Sequence, residues 1–436
     1  MITRRGFIGT AGVAGLAAAV PHRAEGREPQ TQAALPPLDR PAGSPESVAR
    51  DEAYWQRVAA YYRIGTGYTN LEAGYWGMMA APVLATFHAQ IDRVNRDNSY
   101  YARREYDRDL TAARERVARF VGAQPTEVAF TRGATEALQR LIIQYKAVQA
   151  GDAVIYGDLD YNSMQLAINA LAEQRGARVV RFEFPEPANR ENVLATYARV
   201  LDTPRARLLL LTHLNNKTGL IIPVREITAM ARARGVDVIV DAAHSFGQCD
   251  LNIADLGADF VGLNLHKWLG APLGAGLMYI REGRLGDISP MLGDNGPADR
   301  IDSRIHTGTA NFATFLSVPA ALDFHEAVGA PHKAARVRYL RDRWVRAVRG
   351  SRGIDILTPD EEGSVAAITS FRLDGRTGRA ENQAVVNELL DRYGIFTVWR
   401  TGVARGDCIR VTPALYNSPA DVDHLARSLR EMAIRG

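Results

Sequence analysis

The chain has 436 residues, 46% of them hydrophobic, with 53 Lys and Arg against 49 Asp and Glu for a formal charge of +4. That length and apolar content support a large buried core and are too great for one small compact domain. The near balance of charge argues against a nucleic-acid partner, and no HxxxH, HExxH or CxxC spacing points to a metal. The spacing of Cys249 and Cys408 leaves open whether they pair.

The amino terminus reads Thr3-Arg4-Arg5-Gly6-Phe7-Ile8-Gly9 and continues as an Ala/Gly/Val run to Val20. Twin arginines before a weakly hydrophobic run resemble a Tat export signal, and the run is too short and too rich in small residues for a stable membrane span. The alternative is a cytoplasmic protein with a basic start. The resemblance implies export to the periplasm through the Tat translocase, with cleavage after Ala19 or Ala24. Removing residues 1–24 takes away Arg4, Arg5 and Arg23 and no acid, so the charge falls from +4 to +1. Residues 25–45 hold Pro29, Pro36, Pro37, Pro41 and Pro45 and read as a linker. Ser44 and Pro45 then have the chemistry of an N-cap and a first helical residue.

Strand-like runs follow at Val128–Phe130, Val154–Tyr156, Val179–Phe182, Leu208–Leu211, Val238–Val240, Phe260–Leu263 and Gly276–Ile280, alternating with amphipathic helices. That alternation predicts a mostly parallel sheet between helical layers. A helical stretch over Thr314–Arg349 leads to a smaller unit: a strand at Ala366–Leu373, a helix at Ala380–Tyr393, strands at Ile395–Val398 and Ile409–Val411, and a helix at Ala420–Met432. The domains are therefore set at 46–330 and 331–436.

Three segments carry chemistry. Glu127–Thr131 reads as a short strand, and Arg132-Gly133-Ala134-Thr135 opens an apolar helix, so free N–H groups and the helix dipole favour an anion there; an ordinary Thr-capped helix has the same look. Asp241-Ala242-Ala243-His244 stands at the carboxyl end of a buried strand, where open α/β sheets bind ligands. Asp241 there suits a protonated ring nitrogen, a metal or a helix cap. Leu265-His266-Lys267-Trp268 follows another strand and precedes a Gly-rich turn. Lys267 is either a surface lysine in a turn or a desolvated, nucleophilic Schiff-base lysine.

Together and in this order, the three segments resemble the class V aminotransferase family of pyridoxal-phosphate (PLP) enzymes, from about Tyr68 to the C-terminus. The resemblance implies an α/β PLP-dependent transferase fold of type I, with a mostly parallel sheet in the large domain and a smaller C-terminal α/β domain, and a homodimer. It implies phosphate contacts from Ala134, Thr135, Asn264 and His266, a ring stacked by Tyr161, and Asn216 and His244 at the ring oxygen. Asp241 is implied as the partner of the ring nitrogen, and Lys267 as the covalent anchor. Gly308 and Thr309, with Thr307, look like the loop that family dimers lend to the partner's phosphate. Arg410 resembles the family's substrate-carboxylate arginine; alternation sets it opposite Ile409 and Val411, and a surface pair with Asp407 is the other reading.

Cys408 falls within the Arg410 strand rather than on a loop before it, which speaks against the family's desulfurase chemistry. Glu72, Tyr75 and Trp76 stand where relatives line the substrate wall, with core packing as the alternative for the aromatics. The implied activity is that of a PLP-dependent enzyme on an amino acid or an amino-acid side group of a peptide, transamination first. Export and fold together look like the periplasmic PLP enzymes of siderophore maturation, as for pyoverdine. The alternatives are an epimerase, lyase or decarboxylase of free amino acids, and a non-catalytic PLP-binding protein.

Overall fold

The structure is a computed structural model describing residues 38–294, 296–305 and 308–435. The predicted export signal and the predicted linker up to residue 37 lie outside the described residues, as does Thr307. Ser44 caps a short helix, Pro45–Val48, by accepting a hydrogen bond from the Ser47 N–H at 3.2 Å.

Seven strands form the central sheet: β1 (Val128–Thr131), β2 (Ala153–Gly157), β3 (Arg178–Phe182), β4 (Ala206–Thr212), β5 (Asp237–Asp241), β6 (Phe260–Asn264) and β7 (Gly276–Ile280). Their order is β1-β7-β6-β5-β4-β2-β3. Every pairing is parallel except the two made by β7, which runs antiparallel to β1 and β6. The other strands therefore present their carboxyl ends on one edge, where the site forms. Gly276–Ile280 has its predicted bounds, and the other predicted strands are extended by one to three residues. At β1, Glu127 instead ends a 3-10 turn, its carboxylate accepting from the Gln124 N–H at 2.9 Å.

The helix Ala134–Ile143 lays Ala137, Leu138, Leu141 and Ile142 on the sheet, against Ile239, Phe260 and Met278 among others. Each such aliphatic or aromatic side chain contributes about 1.5–3 kcal/mol when fully buried. That packing fixes the start of the helix against the ends of β5 and β6. The long helical stretch is in fact three helices, Phe312–Leu316, Val318–Val328 and Ala330–Val348. Pro319 and Pro331 sit in first turns and Gly329 has φ +86°, so the chain turns where one continuous helix was predicted.

A second sheet holds β8 (Ile354–Ile356), β9 (Thr369–Leu373), β10 (Val398–Arg400) and β11 (Cys408–Val411), all antiparallel, in the order β10-β11-β9-β8. Ile409 and Val411 enter a core with Trp344, Phe371, Leu389 and Leu425, and alternation sends Arg410 the other way. The single strand predicted at Ile395–Val398 is divided. Ile395–Phe396 pairs in parallel with Thr69–Asn70, and after Thr397 the chain joins β11. The first pairing draws the amino-terminal segment alongside β11, where Glu72 bridges Thr412.

Candidate active site

A cleft of about 520 Å³ opens at the carboxyl edge of the central sheet. Ala134, Thr135, Tyr161, Asn216, Asp241, His244, Asn264, His266, Lys267 and Arg410 all line it. Gly308 and Thr309 are exposed and do not line this cleft. The N-cap residue of the Ala134–Ile143 helix is Gly133, which has no side chain to cap it. Asn264 accepts the Ala134 N–H at 2.8 Å, and His266 Nδ1 lies 2.7 Å from the Ala275 carbonyl oxygen. A β-carbon at Gly133 would come within 3.2 Å of the His266 ring and 3.3 Å of the Asn264 amide oxygen. Glycine there leaves a concave, N–H-lined hollow at a helix start, which fits a phosphate.

Asp241 is buried at the end of β5 and accepts the Ala243 N–H at 2.9 Å. Burial pushes its carboxyl above the usual range, while that hydrogen bond and Lys267 pull the other way. Asp160, also buried, accepts from the Thr212 N–H at 3.0 Å, the Thr212 hydroxyl at 2.6 Å and the Gly157 N–H at 2.8 Å. It ties the ends of β2 and β4 together and so sets the place of Tyr161, which is 41% exposed and free to flank a ring. Asn215 organises the next turn, its amide oxygen accepting the N–H groups of Lys217 and Thr218 at 2.8 and 2.9 Å. Asn216 is thereby held at the cleft.

Lys267 Nζ stands 2.9 Å from His244 Nε2. Burial lowers the Lys267 ammonium to about 8, with Asp241 opposing and Arg410 and Arg400 reinforcing the shift. Burial also holds His244 well below the ordinary imidazole value. An amine must be neutral to attack an aldehyde, and this one becomes neutral as pH rises through about 8. The rate at which cofactor-free protein gains the lysine-linked absorbance on adding PLP should therefore climb with pH and level off just above 8. An unperturbed lysine would keep the rate climbing towards about 10.4. Stopped-flow absorbance across that range decides between them.

Arg410 is fully buried, and its partner is Glu72 rather than Asp407. Its Nε donates to Glu72 Oε2 at 3.3 Å, its Nη2 to Glu72 Oε1, and its Nη1 to the Asn216 carbonyl at 2.8 Å. Arg400, at the end of β10, donates to Glu72 Oε1 at 3.1 Å and also lines the cleft. Sequence reasoning missed Arg400; the Glu72–Arg400 contact depends on the divided strand at 395–400. Tyr75 and Trp76 are not core residues: they are exposed, line the cleft, and pack edge to face with ring centroids 4.8 Å apart.

Both thiols are free. Cys408 is buried in β11 and burial pushes it up to about 11, so it is not a thiolate nucleophile. The loop before it is tied down: the Ala404 N–H donates to Asp158 at 2.9 Å, and Lys217 Nζ donates to the Gly402 carbonyl at 3.4 Å and to the Asp158 carbonyl at 2.5 Å. Among the described residues no cluster of three or more His, Cys, Asp or Glu is arranged for a metal ion. Nor is any helix there long and apolar enough to cross a membrane.

The Aminotransferase class-V family profile matches residues 83–425. The chain is 30% identical over 399 residues to isopenicillin N epimerase of Amycolatopsis lactamdurans, covering 87% of this chain and 98% of that protein. It superposes on the apo structure of a cysteine desulfurase from Thermococcus onnurineus with a TM-score of 0.76 at 20% identity, covering 91% of this chain and 100% of that one. A C-DES structure with glycine covalently linked to its PLP cofactor superposes with a TM-score of 0.74 at 22% identity, covering 84% of this chain and 97% of that one. With a helix start shaped for phosphate, a buried carboxylate and a desolvated lysine facing one cleft of a type I fold, the chain belongs to the class V aminotransferase family and is a PLP-dependent enzyme.

Proposed function

We propose that this enzyme moves a proton at Cα of an amino-acid substrate, and that its net reaction is transamination. The observation that carries the reading is the Lys267 amine, neutral above about pH 8, beside buried Asp241 and facing a cleft that also holds Arg400 and Arg410. Bound PLP supplies an electron sink for the charge that develops at Cα. Asp241 holds the ring nitrogen protonated, and Tyr161 flanks a ring face. Ala134, Thr135, Asn264 and His266 hold the phosphate, with Asn216 and His244 at the ring oxygen. A guanidinium orients the substrate by its carboxylate, and Lys267 takes the proton from Cα and gives it up elsewhere than Cα; the donor leaves as an oxo acid, and an oxo-acid acceptor takes up the amino group in the return half of the cycle.

Epimerisation is the second reading, favoured by the relative that is an isopenicillin N epimerase. Desulfurisation has no support in the buried, unionised Cys408. The experiment is incubation of the holoenzyme in D2O with an oxo-acid acceptor and a panel of free and peptide-linked amino acids, followed by NMR and mass spectrometry. An oxo product from the donor, with a new amino acid deuterated at Cα formed from the acceptor, supports transamination; deuterated amino acid of both configurations without an oxo product replaces it with epimerisation. No exchange anywhere in the panel overturns the proposal in favour of a non-catalytic PLP-binding protein.

We further propose that the protein travels folded, with PLP bound, to the periplasm, and acts there on an amino-acid side group of a peptide such as a siderophore. Arg4, Arg5 and the small-residue run after them support this reading. Changing both arginines to lysine should retain the protein in the cytoplasm with its PLP spectrum unaltered. Fractionation that finds the double variant exported as well as the parent removes the Tat reading. A homodimer fits Gly308 and Thr309, which are exposed away from their own cleft.

A further inference from the structure

The residue after the anchor lysine is a tryptophan, and its indole makes a contact that the proposed chemistry does not use. Trp268 Nε1 lies 3.3 Å from His244 Nδ1, and both side chains are buried. An indole N–H is a donor and never an acceptor, so His244 Nδ1 must be the acceptor. A doubly protonated imidazole would set two N–H groups against each other. His244 is therefore neutral and carries its single proton on Nε2, the nitrogen 2.9 Å from Lys267 Nζ. Burial is the largest influence on this ring, followed by Lys267, Arg410, Arg400 and His266, and the Asp241 carboxyl lines the same cleft.

The indole has little freedom to leave. Lys333 Nζ donates to the Trp268 carbonyl. Gly247, at φ +81°, brings its backbone so close that a β-carbon would stand 2.8 Å from the Trp268 carbonyl carbon. On the other side the Gly77 N–H donates to the His266 carbonyl at 2.9 Å, and a β-carbon at Gly77 would run into the Lys267 carbonyl. The backbone of residues 266–268 is thus clamped from three separate segments, and the indole projects from it onto one nitrogen of His244.

We propose that Trp268 is a positioning residue that locks His244 in its Nε2–H tautomer, so that the imidazole offers a donor rather than a lone pair to Lys267 and to the ring oxygen of bound PLP. Such a donor needs a lone pair on Lys267 Nζ, which the amine has once it is neutral, above about pH 8. A donor at the ring oxygen favours negative charge there and eases loss of the proton from the lysine-linked cofactor. The tautomer stands on the hydrogen bonds alone; only its effect on the ring draws on the cofactor assignment.

The test replaces Trp268 by β-(3-benzothienyl)alanine, which keeps the bicyclic shape and puts sulfur where the N–H was, and in parallel makes Trp268→Phe. In ¹⁵N-histidine-labelled, full-length holoenzyme, the His244 signals are identified by their loss in His244→Gln. Wild type should show protonated Nε2 and unprotonated Nδ1, and the sulfur isostere should show both tautomers. The pH midpoint of the visible absorbance should rise by about one unit in the isostere, a tenfold change in the proton equilibrium, and in the same direction in Trp268→Phe. If Nε2–H remains the sole tautomer in the isostere, the lock is overturned whatever the absorbance does. If the tautomers mix while the midpoint stays fixed, the lock's reach to the ring is overturned. Failure of the Cα-exchange experiment would leave the tautomer result untouched.

Discussion

Lys267→Ala is expected to give a folded protein that has lost the visible absorbance of the lysine-linked cofactor and loses turnover by at least 10²–10⁴-fold, the usual contribution of a positioned proton-transfer group. The fold should survive because the side chain lines the cleft and its one hydrogen-bonding neighbour, His244, keeps a second partner in Trp268. Removing the amine also removes a positive charge facing Asp241, and the carboxyl of Asp241 should rise further as one of the influences lowering it disappears. PLP is expected to remain partly bound through the helix start, Asn264 and His266, so retained cofactor alone decides nothing. The deciding measurement is borohydride reduction followed by peptide mapping. A reducible adduct at another lysine together with full turnover would remove Lys267 from the mechanism. Lys217 and Lys333 are the buried lysines to examine, because burial lowers both ammonium groups. Each, however, donates to backbone carbonyls: Lys217 to those of Asp158 and Asp160, Lys333 to that of Trp268.

The sheet was legible because its strands are short apolar runs, and four of them, Val128–Thr131, Ala206–Thr212, Asp237–Asp241 and Phe260–Asn264, end on a polar residue. Asp241 and Asn264 therefore announced both strand and site. Lys267 was legible from its neighbours for the same reason. What hides from a linear reading is contact between distant segments. Glu72 lies 338 residues from Arg410, and it reaches that guanidinium only because Thr69–Asn70 pairs with Ile395–Phe396. Arg400 looks like a strand-end surface residue until Thr397 ends one pairing and Val398 begins another. For Tyr75 and Trp76 the sequence left a pocket wall and core packing both open, because exposure at the cleft has no local signature in large aromatics. Trp268 is hidden differently, since it adjoins Lys267 in sequence but its indole partner, His244, sits on another strand end.

Arg410→Ala should keep bound PLP and lose most catalytic efficiency, by the equivalent of about 2–5 kcal/mol, against under about 1 for a surface arginine. The contact with Glu72 adds a second expectation. Arg410 has given its Nε and Nη2 to that carboxylate and its Nη1 to the Asn216 carbonyl, so an incoming carboxylate must compete with Glu72 for the guanidinium. Arg400 already shares Glu72 and is the group able to retain it during the exchange. Two guanidiniums and one resident carboxylate leave a single positive charge, which one substrate carboxylate neutralises. Glu72→Gln should therefore lower KM by weakening the competitor, while Arg410→Ala raises it. Arg410→Lys should rescue only in part, because an ammonium cannot reproduce the planar fork. Arg410→Ala will also lower thermal stability, since it leaves Glu72 buried with Arg400 as its remaining cation, and kinetics must be read well below the variant's Tm. The comparison that decides the substrate class sets wild type against Arg410→Ala on a free amino acid and on a peptide presenting an amino-acid side group. Unchanged kinetics on both would take Arg410 out of substrate binding. Loss on the free amino acid alone would mean that Arg410 reads an α-carboxylate the peptide lacks, and loss on the peptide alone would make the peptide the substrate for which Glu72 yields.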